Sequence, residues 1–209
     1  MKFYANDLQT KDRYKLLSGS VVPRPISWVS TVDRDGEANL APFSFFNVAS
    51  REPAMLSLSI GPGVGDRNGT TKDTLENIRN TEQFVVNVVP ATLANAMYTT
   101  SLNVATDVDE FEEAGLTKEA SDKVKAPRVK ESPISMECQL EQIIQLGTDY
   151  LVIGRVLVFH IAESVYTPDY KINLDALNPL GRLAGTYALG GELFSLPDDT
   201  LSERIAKRK

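Results

Sequence analysis

The stretch "NLAPFSFFN", Asn39 to Asn47, decides how this 209-residue chain folds. A strand with one buried face alternates polar with apolar side chains, yet both faces of this stretch carry apolar or aromatic residues. The odd-numbered side chains from Asn39 to Phe45 point one way, and the even-numbered ones from Leu40 to Phe46 point the other way. Both faces must therefore pack against something. Pro42 lacks an N–H, so we place this strand at an edge or a bulge of its sheet.

The residues before this stretch predict the first strand of a hairpin. Ile26 to Val32 is rich in Ile, Trp, Val and Thr, which favour strands. The sequence "DRDG", Asp33 to Gly36, is typical of a turn, with Gly36 suited to a positive φ. A second strand then runs from about Ala38 to Val48, so the two form an antiparallel hairpin.

Further strands and a few short helices complete the prediction. Apolar or alternating runs predict strands over residues 54–61, 84–89, 132–146 and 150–165, the last two joined by a turn at 147–149. Helices are predicted over 11–17, capped by Thr10, over 72–83, capped by Asp73 or Thr71, and over 91–101. Antiparallel hairpins dominate, and no βαβ rhythm is present. The predicted fold class is therefore mainly β, a β-barrel or Greek-key sheet with a few short helices.

We predict a single domain over residues 1–209. It begins with a helical lead-in over 1–20 and carries a charged surface insertion over 105–132. It ends in an extension over 166–209 with a last hairpin around Gly190-Gly191.

Composition excludes several function classes. The chain has 22 Lys and Arg against 28 Asp and Glu, a net charge of −6, so we expect no nucleic-acid partner. Its one cysteine, Cys138, allows no intrachain disulfide, which fits a cytoplasmic protein, and we interpret it as a small buried hydrophobe. No apolar run approaches the roughly 20 residues that span a bilayer, so we expect no membrane association.

The residue types also exclude common catalytic and metal sites. The one histidine, His160, lies among branched apolar residues, and we interpret it as a hydrogen-bonded sheet histidine. A Cys/His metal site or a Ser-His-Asp triad needs ligands or partners that this chain does not offer. The glycine-rich sequence "GPGVGDRNGTTK", residues 61–72, has the spacing of neither a P-loop nor a dinucleotide-binding fingerprint.

Two features instead predict the halves of a ligand site. The triplet "KDT", Lys72 to Thr74, begins a helix, where unpaired amides, the helix dipole and the lysine favour a phosphate monoester. Asp73 opposes this because it is an anion that can cap the helix, and an ordinary capped surface helix is the alternative. At the edge strand, backbone groups beside Pro42 are left for a flat heteroaromatic ligand such as a flavin ring. A dimer interface or a core buried on both sides is the alternative there.

The order and spacing of several motifs resemble the flavin reductase-like family. They are "PRPISWVSTVDRDGEANLAPFSFFN", "SLSIG", "KDTLENIRNTEQFVVNVV", "DEFEEAGLT" and "ESPISMECQL", and the resemblance runs from about Tyr14 to Phe194. This family comprises FMN-binding split-barrel proteins and includes the flavoredoxins. The resemblance implies a split β-barrel with Greek-key topology, and a homodimer that binds FMN near the subunit interface.

The resemblance also implies which residues meet the cofactor. Asn39 and the backbone of 41–45 would meet the polar edge of the ring, while Ser44, Lys72 and Thr74 would meet the ribityl chain and the phosphate. Arg182 would reach the flavin from the partner subunit, as would Asn103. The predicted cofactor-binding residues are Thr31, Asn39, Ala41, Pro42, Phe43, Ser44, Phe45, Ser59, Lys72, Asp73, Thr74 and Asn103. No catalytic residue and no metal ligand is predicted.

Two functions are compatible with these residues. The first is an NADH- or NADPH-dependent oxidoreductase, in which hydride passes from nicotinamide C4 to flavin N5 and no acid–base residue is needed. The alternative is a flavoredoxin-like carrier that binds FMN and exchanges electrons with a redox protein partner, without nicotinamide turnover. A barrel that has lost its cofactor is a third interpretation, which the intact "KDT" and "APFS" oppose.

Overall fold

The computed structural model of the chain describes residues 1–63, 65, 68–105, 108–191 and 194. The helices are α1 Thr10–Ser20, α2 Asp73–Thr81, α3 Ala94–Thr99, α4 Glu110–Glu113 and α5 Leu174–Leu177. The strands are β1 Ser27–Val32, β2 Ala38–Phe43, β3 Phe46–Arg51, β4 Ala54–Ile60, β5 Gln83–Val88, β6 Lys118–Glu119, β7 Arg128–Val129, β8 Ile134–Leu146, β9 Asp149–Ile161, β10 Tyr166–Thr167, β11 Lys171–Ile172, β12 Gly181–Arg182 and β13 Tyr187–Ala188. None of the helices in these ranges is long and apolar enough to cross a membrane.

Seven strands form one antiparallel sheet in the order β2-β1-β5-β8-β9-β4-β3. The two edge strands, β2 and β3, follow each other in the chain and are joined only by Ser44 and Phe45. The sheet must therefore curl until its edges come close, which gives a barrel that is split between β2 and β3. The predicted fold class, mainly β with a split barrel and a few short helices, is confirmed.

The stretch from Asn39 to Asn47 forms two strands rather than the single strand predicted. β2 ends at Phe43 and β3 begins at Phe46, with a bend between them. Alternation holds within β2, where Leu40 and Phe43 belong to different buried clusters. Phe46 then packs against the same cluster as Phe43, although unbroken alternation places it on the opposite face. The chain bends here because it passes from one edge of the sheet to the other.

The edge position predicted from Pro42 is confirmed, since β2 is the first strand of the sheet. The pairing of β1 with β2 runs from Ser27–Phe43 to Val32–Ala38 without a register shift, so β2 carries no bulge. The predicted turn at 33–36 is also confirmed. The Asp33 carboxylate accepts the amides of Asp35 and Glu37, and Gly36 has a φ of 94°.

Two buried clusters cover the two faces of the β1–β2 hairpin, which explains why both faces of the opening stretch are apolar. The barrel core consists of Val29, Phe43, Leu56, Leu58, Ile60, Leu75, Ile78, Phe84, Val86, Cys138 and Val152. The outer cluster consists of Ile26, Trp28, Leu40, Val89, Met97, Phe111, Val129 and Leu180. The helix α2 contributes Leu75 and Ile78 to the barrel core. Gly154 of β9 leaves room for Phe84, since a Cβ there would lie 2.2 Å from Cζ of that ring.

The helix boundaries differ from the predictions at the caps. α1 begins at Thr10 with Gln9 at the N-cap, so the predicted cap by Thr10 is wrong. It continues to Ser20 instead of ending at Leu17, because the Arg24 guanidinium caps its C-terminal end. Its Nη1 donates to the Ser18 and Val21 carbonyls, both at 2.6 Å.

The two long strands and their turn are confirmed as β8 and β9. A hairpin does form near the C-terminus, but β12 and β13 turn at residues 183–186, earlier than Gly190-Gly191. The second half of the hairpin predicted there lies outside the described residues. Within 105–132, α4 and the β6–β7 pair bring Phe111 and Val124 into buried positions.

Candidate functional site

Three adjoining cavities follow the chain from Asn39 to Asn47, and we call them together the edge groove. The first cavity has a volume of about 90 Å³ and lies between β2 and the start of α2. The second, of about 220 Å³, shares Pro42 and Ser101 with the first. The third, of about 330 Å³, shares Ser44 with the second. The groove therefore connects the helix start to the bend between the two edge strands.

Most of the predicted cofactor-binding residues line this groove. The first cavity is lined by Asn39, Ala41, Pro42, Lys72, Asp73, Thr74 and Asn103. The second cavity is lined by Phe43, Ser44 and Arg182 of the same chain, and the third by Ser44 and Phe45. The fold thus brings the two predicted halves of the site, the helix start and the edge strand, into one groove.

Thr31 and Ser59 do not line any of the three cavities. Thr31 is fully buried in β1, and its hydroxyl accepts a hydrogen bond from Asn77 Nδ2 of α2 at 3.1 Å. Ser59 is half-buried in β4, and its amide donates to the Phe45 carbonyl at 2.8 Å. Both residues therefore support the walls of the groove from behind, Thr31 through α2 and Ser59 through Phe45.

The start of α2 presents a hydroxyl and a lysine to the first cavity. The N-cap position is Lys72, whose side chain makes no capping hydrogen bond, so the N-cap predicted at Asp73 or Thr71 is wrong. Thr74 is 2% exposed, and its Oγ1 accepts a hydrogen bond from Asn39 Nδ2 of β2 at 3.1 Å. Because this bond occupies a lone pair of Oγ1, the hydroxyl proton is directed to another acceptor. Together with the helix dipole, this end of the groove suits an anion.

Ser44 has a matching arrangement at the bend. Its Oγ accepts a hydrogen bond from Arg24 Nε at 3.4 Å. Arg24 is 5% exposed, and its guanidinium also lies 5.7 Å from the centroid of the Phe45 ring. Because the Ser44 hydroxyl accepts this hydrogen bond from Arg24, its own proton can be donated to a ligand in the groove.

Glu110, the first residue of α4, lines the first cavity but is not among the predicted residues. Its Oε2 accepts a hydrogen bond from the Leu40 amide at 3.1 Å, which pairs a backbone donor of the edge strand. Burial raises the pKa of Glu110 and the nearby carboxylates of Asp73 and Asp109 raise it further, although the Leu40 hydrogen bond opposes them. The motif "DEFEEAG" marks this segment in the sequence, but no local signal shows that the glutamate reaches a strand 70 positions away.

The loop after α3 forms the remaining wall of the first cavity, over residues 100–104. Trp28 of β1 holds the loop in place, since its Nε1 donates to Thr100 Oγ1 at 2.9 Å. The Thr100 hydroxyl in turn donates to the Met97 carbonyl at 2.9 Å. Of this loop the sequence predicts only Asn103, because the contact that fixes it joins residues 72 positions apart.

His160 is paired with a buried carboxylate, as expected for a hydrogen-bonded sheet histidine. Its Nε2 donates to Glu137 Oε1 at 2.6 Å. Glu137 is fully buried and also accepts the amides of Asp122, Lys123 and Val124. One ligand atom each from Asp122, Glu137 and His160 lies within 4.8 Å of the others, but both oxygens of Glu137 already accept hydrogen bonds. The Glu137 carboxylate therefore holds the backbone of residues 122–124 in place.

Comparison with known proteins shows similarity along nearly the whole chain. The family profile described as "Flavin reductase like domain" matches residues 18–180. The crystal structure of nitrilotriacetate monooxygenase component B from Bacillus cereus is 38% identical, has a TM-score of 0.89, and covers 94% of this chain and 98% of that one. The structure of 2-nitrobenzoate 2-nitroreductase from Pseudomonas fluorescens is 29% identical, has a TM-score of 0.85, and covers 96% and 98%.

The similarity also extends to a structure described as containing a split barrel domain. This protein from Shewanella frigidimarina NCIMB 400 is 26% identical, has a TM-score of 0.82, and covers 95% of this chain and 100% of that one. Its description agrees with the split between β2 and β3 found in this chain.

Proposed function

We propose that this chain, which belongs to the flavin reductase-like family, is an FMN-dependent oxidoreductase that takes hydride from NADH or NADPH. The observation that carries this proposal is the edge groove. One groove joins a helix start that carries Lys72 and the Thr74 hydroxyl, suited to a phosphate, to a hydroxyl-bearing strand edge, suited to the polar atoms of a planar ring.

The first cavity fits the phosphate and ribityl end of FMN. Its donor set consists of the Lys72 ammonium, the Thr74 hydroxyl and the first amides of α2. A charge-assisted contact of this kind is about twice as strong as a neutral hydrogen bond. The cavity of about 90 Å³ is too small for the whole cofactor, since drug-sized ligands occupy roughly 300 Å³ or more.

The second and third cavities fit the ring. Pro42 and Phe43 supply apolar surface, and the Ser44 hydroxyl supplies a donor for an acceptor atom on the ring edge. The backbone of β2 offers hydrogen-bonding groups there because β2 is an edge strand. We therefore assign Pro42–Phe45 to the ring and Lys72–Thr74 to the phosphate.

The chain's own residues would bind and orient the reactants. When bound, FMN supplies the hydride acceptor, and the protein needs only to hold two rings in contact and exclude water. Arg24 keeps the Ser44 hydroxyl in its donating orientation, and Trp28 keeps the loop over the first cavity. No side chain is assigned the role of a general acid or base.

Two relatives support a role in passing electrons onward. One carries the description of a monooxygenase component and the other that of a nitroreductase. We propose that FMN held in the groove would supply electrons to one of two acceptors, a redox protein partner or a small molecule that enters the groove.

Absorption spectroscopy tests the proposal. The purified protein, reconstituted with FMN and desalted, is expected to keep a flavin spectrum. Anaerobic addition of NADH or NADPH is expected to bleach that spectrum within seconds. A flavin spectrum that neither nucleotide bleaches would favour the electron carrier, and a colourless protein would contradict both.

We further propose that the protein is a homodimer. Apolar side chains are exposed on and after α1, namely Leu16, Leu17, Val21 and Val22, and of these Leu17 and Val21 line the third cavity. A second row, Leu157, Phe159 and Ile161, is exposed on β9 beyond the last residue that pairs with β4. Exposed apolar rows of this kind are typical of interfaces. Sedimentation at micromolar concentration is expected to give twice the chain mass, and a monomer at all concentrations would refute the assignment.

A further inference from the structure

Arg182 lines the second cavity, and its backbone pairs with that of Arg24. The Arg24 amide donates to the Arg182 carbonyl at 2.9 Å, and the Arg182 amide donates to the Arg24 carbonyl at 2.8 Å. Within the described part of the chain, the ion pairs involve other residues, and none joins either guanidinium.

The two guanidinium groups differ in how many donors they have left. Arg24 is buried and donates to Ser44 Oγ and to the carbonyls of Ser18, Val21 and Leu183. Arg182 is half-exposed, and the single hydrogen bond recorded for its guanidinium goes to the Thr186 carbonyl at 3.3 Å. A guanidinium has five N–H donors, so within the described ranges most of the Arg182 donors are left for a ligand, whereas most of the Arg24 donors are used.

The Arg182 guanidinium is also held in place. It lies 4.5 Å from the centroid of the Tyr187 ring. Tyr187 is the residue of β13 that pairs with Arg182 of β12. Stacking on an aromatic ring orients the planar guanidinium, and its fork of N–H groups matches a carboxylate or a phosphate. Arg182 and Tyr187 share the second cavity with Pro42, Phe43 and Ser44, the residues that we assign to the flavin ring.

The groove therefore carries two cationic centres, Lys72 in the first cavity and Arg182 in the second. FMN has one phosphate, which the helix start accounts for. We propose that Arg182 binds the anionic group of the second ligand, a planar ring compound with a carboxylate or phosphate that meets the flavin in the second cavity. This inference rests on the proposed function and adds to it the chemical class of the second ligand.

The test compares charged and neutral ring compounds on the FMN-loaded protein. Binding of benzoate and of its neutral isostere benzamide is measured by calorimetry. Anaerobic flavin reduction is measured with NADH, which carries phosphates, and with 1-methyl-1,4-dihydronicotinamide, which carries none. The variants are Arg182→Gln, Arg182→Lys and, as a matched charge control, Arg155→Gln, whose arginine pairs with Glu141 on the surface of β8–β9.

In Arg182→Gln we expect about 10-fold weaker binding of benzoate, or about 10-fold less efficient reduction by NADH, with the neutral compounds unchanged. A loss confined to benzoate identifies an aromatic carboxylate, and a loss confined to NADH identifies a nucleotide phosphate. Arg182→Lys should recover part of the loss, and Arg155→Gln should show none.

The outcomes separate this inference from the proposed function. If wild-type protein fails to bind FMN, the proposed function fails and this inference falls with it. If FMN binds but Arg182→Gln changes neither anionic compound, only this inference is overturned. If Arg182→Gln weakens FMN itself, measured by flavin fluorescence, Arg182 is a cofactor contact and the inference is overturned as well.

Discussion

Replacing both Lys72 and Thr74 with alanine is expected to raise the dissociation constant for FMN about 100-fold or more. The double variant removes the positive charge at the N-cap of α2 and the hydroxyl that Asn39 holds toward the first cavity. The expected loss combines one charge-assisted contact to phosphate with one neutral hydrogen bond. Quenching of FMN fluorescence on titration with protein measures the constant.

Riboflavin, which lacks the phosphate, makes the experiment specific. Wild-type protein should prefer FMN to riboflavin, and the double variant should bind the two with nearly equal affinity. A control that removes the same groups elsewhere, Lys171→Ala with Thr148→Ala, should keep the preference for FMN because neither residue lines the groove. A double variant that is folded and still prefers FMN to the same degree would refute the phosphate assignment.

Replacing Glu137 with alanine is expected to lower the free energy of unfolding by about 3–5 kcal/mol. The carboxylate accepts the backbone amides of Asp122, Lys123 and Val124 and the Nε2 proton of His160, and it is fully buried. Without it, these donors lose their acceptor inside the protein, where each unsatisfied donor costs about 1–3 kcal/mol. Urea denaturation measures the change.

Glu141→Ala provides the matched control. Glu141 lies on the same strand and pairs with Arg155, but this pair is exposed, so its removal should cost less than about 1 kcal/mol. If Glu137→Ala proved as mild as the control, the carboxylate would not be what holds residues 122–124 against the sheet.

The same carboxylate predicts a pH dependence. Burial opposes ionisation of Glu137, but the hydrogen bonds from Asp122, His160 and Lys123 outweigh it and hold its pKa below the usual value. A depressed pKa in the folded state means that the unfolded state binds more protons in the acid range. The stabilisation is therefore present above the usual glutamate pKa and is lost as the pH falls through the folded value. Glu137→Gln should show a smaller loss of stability between neutral and acid pH than the wild type.

Local rules account for much of what the sequence predicts. The strands follow from the period of their side chains, the turn from the positive φ of Gly36, and the edge position from the N–H that Pro42 lacks. Each of these rules acts within a few residues. The predictions of the N-caps of α1 and α2 are wrong, because a capping pattern ignores what the rest of the chain supplies. The predicted end of α1 at Leu17 is wrong for the same reason, since the distant Arg24 pairs carbonyls at the C-terminal end of the helix.

The candidate site divides in the same way. The sequence marks Lys72–Thr74 and Asn39–Phe45 because a helix start and a proline-bearing strand are visible locally, and the fold places both on one groove. It misses Glu110 and most of residues 100–104, since those residues join the groove only through contacts with Leu40 and Trp28, 70 and 72 positions away.

By itself the sequence determined the class of fold, the edge strand and the chemical nature of the two ends of the groove. Only the tertiary structure decided where the strand bends and that Arg24 reaches Leu183 across 159 positions. It also decided that Arg182 pairs through its backbone with Arg24, and that its guanidinium makes one hydrogen bond within the described residues. The physical reason is that backbone period and turn geometry are encoded by neighbours in the chain. Hydrogen bonds and burial between distant segments exist only once the sheet has curled and brought its edges together.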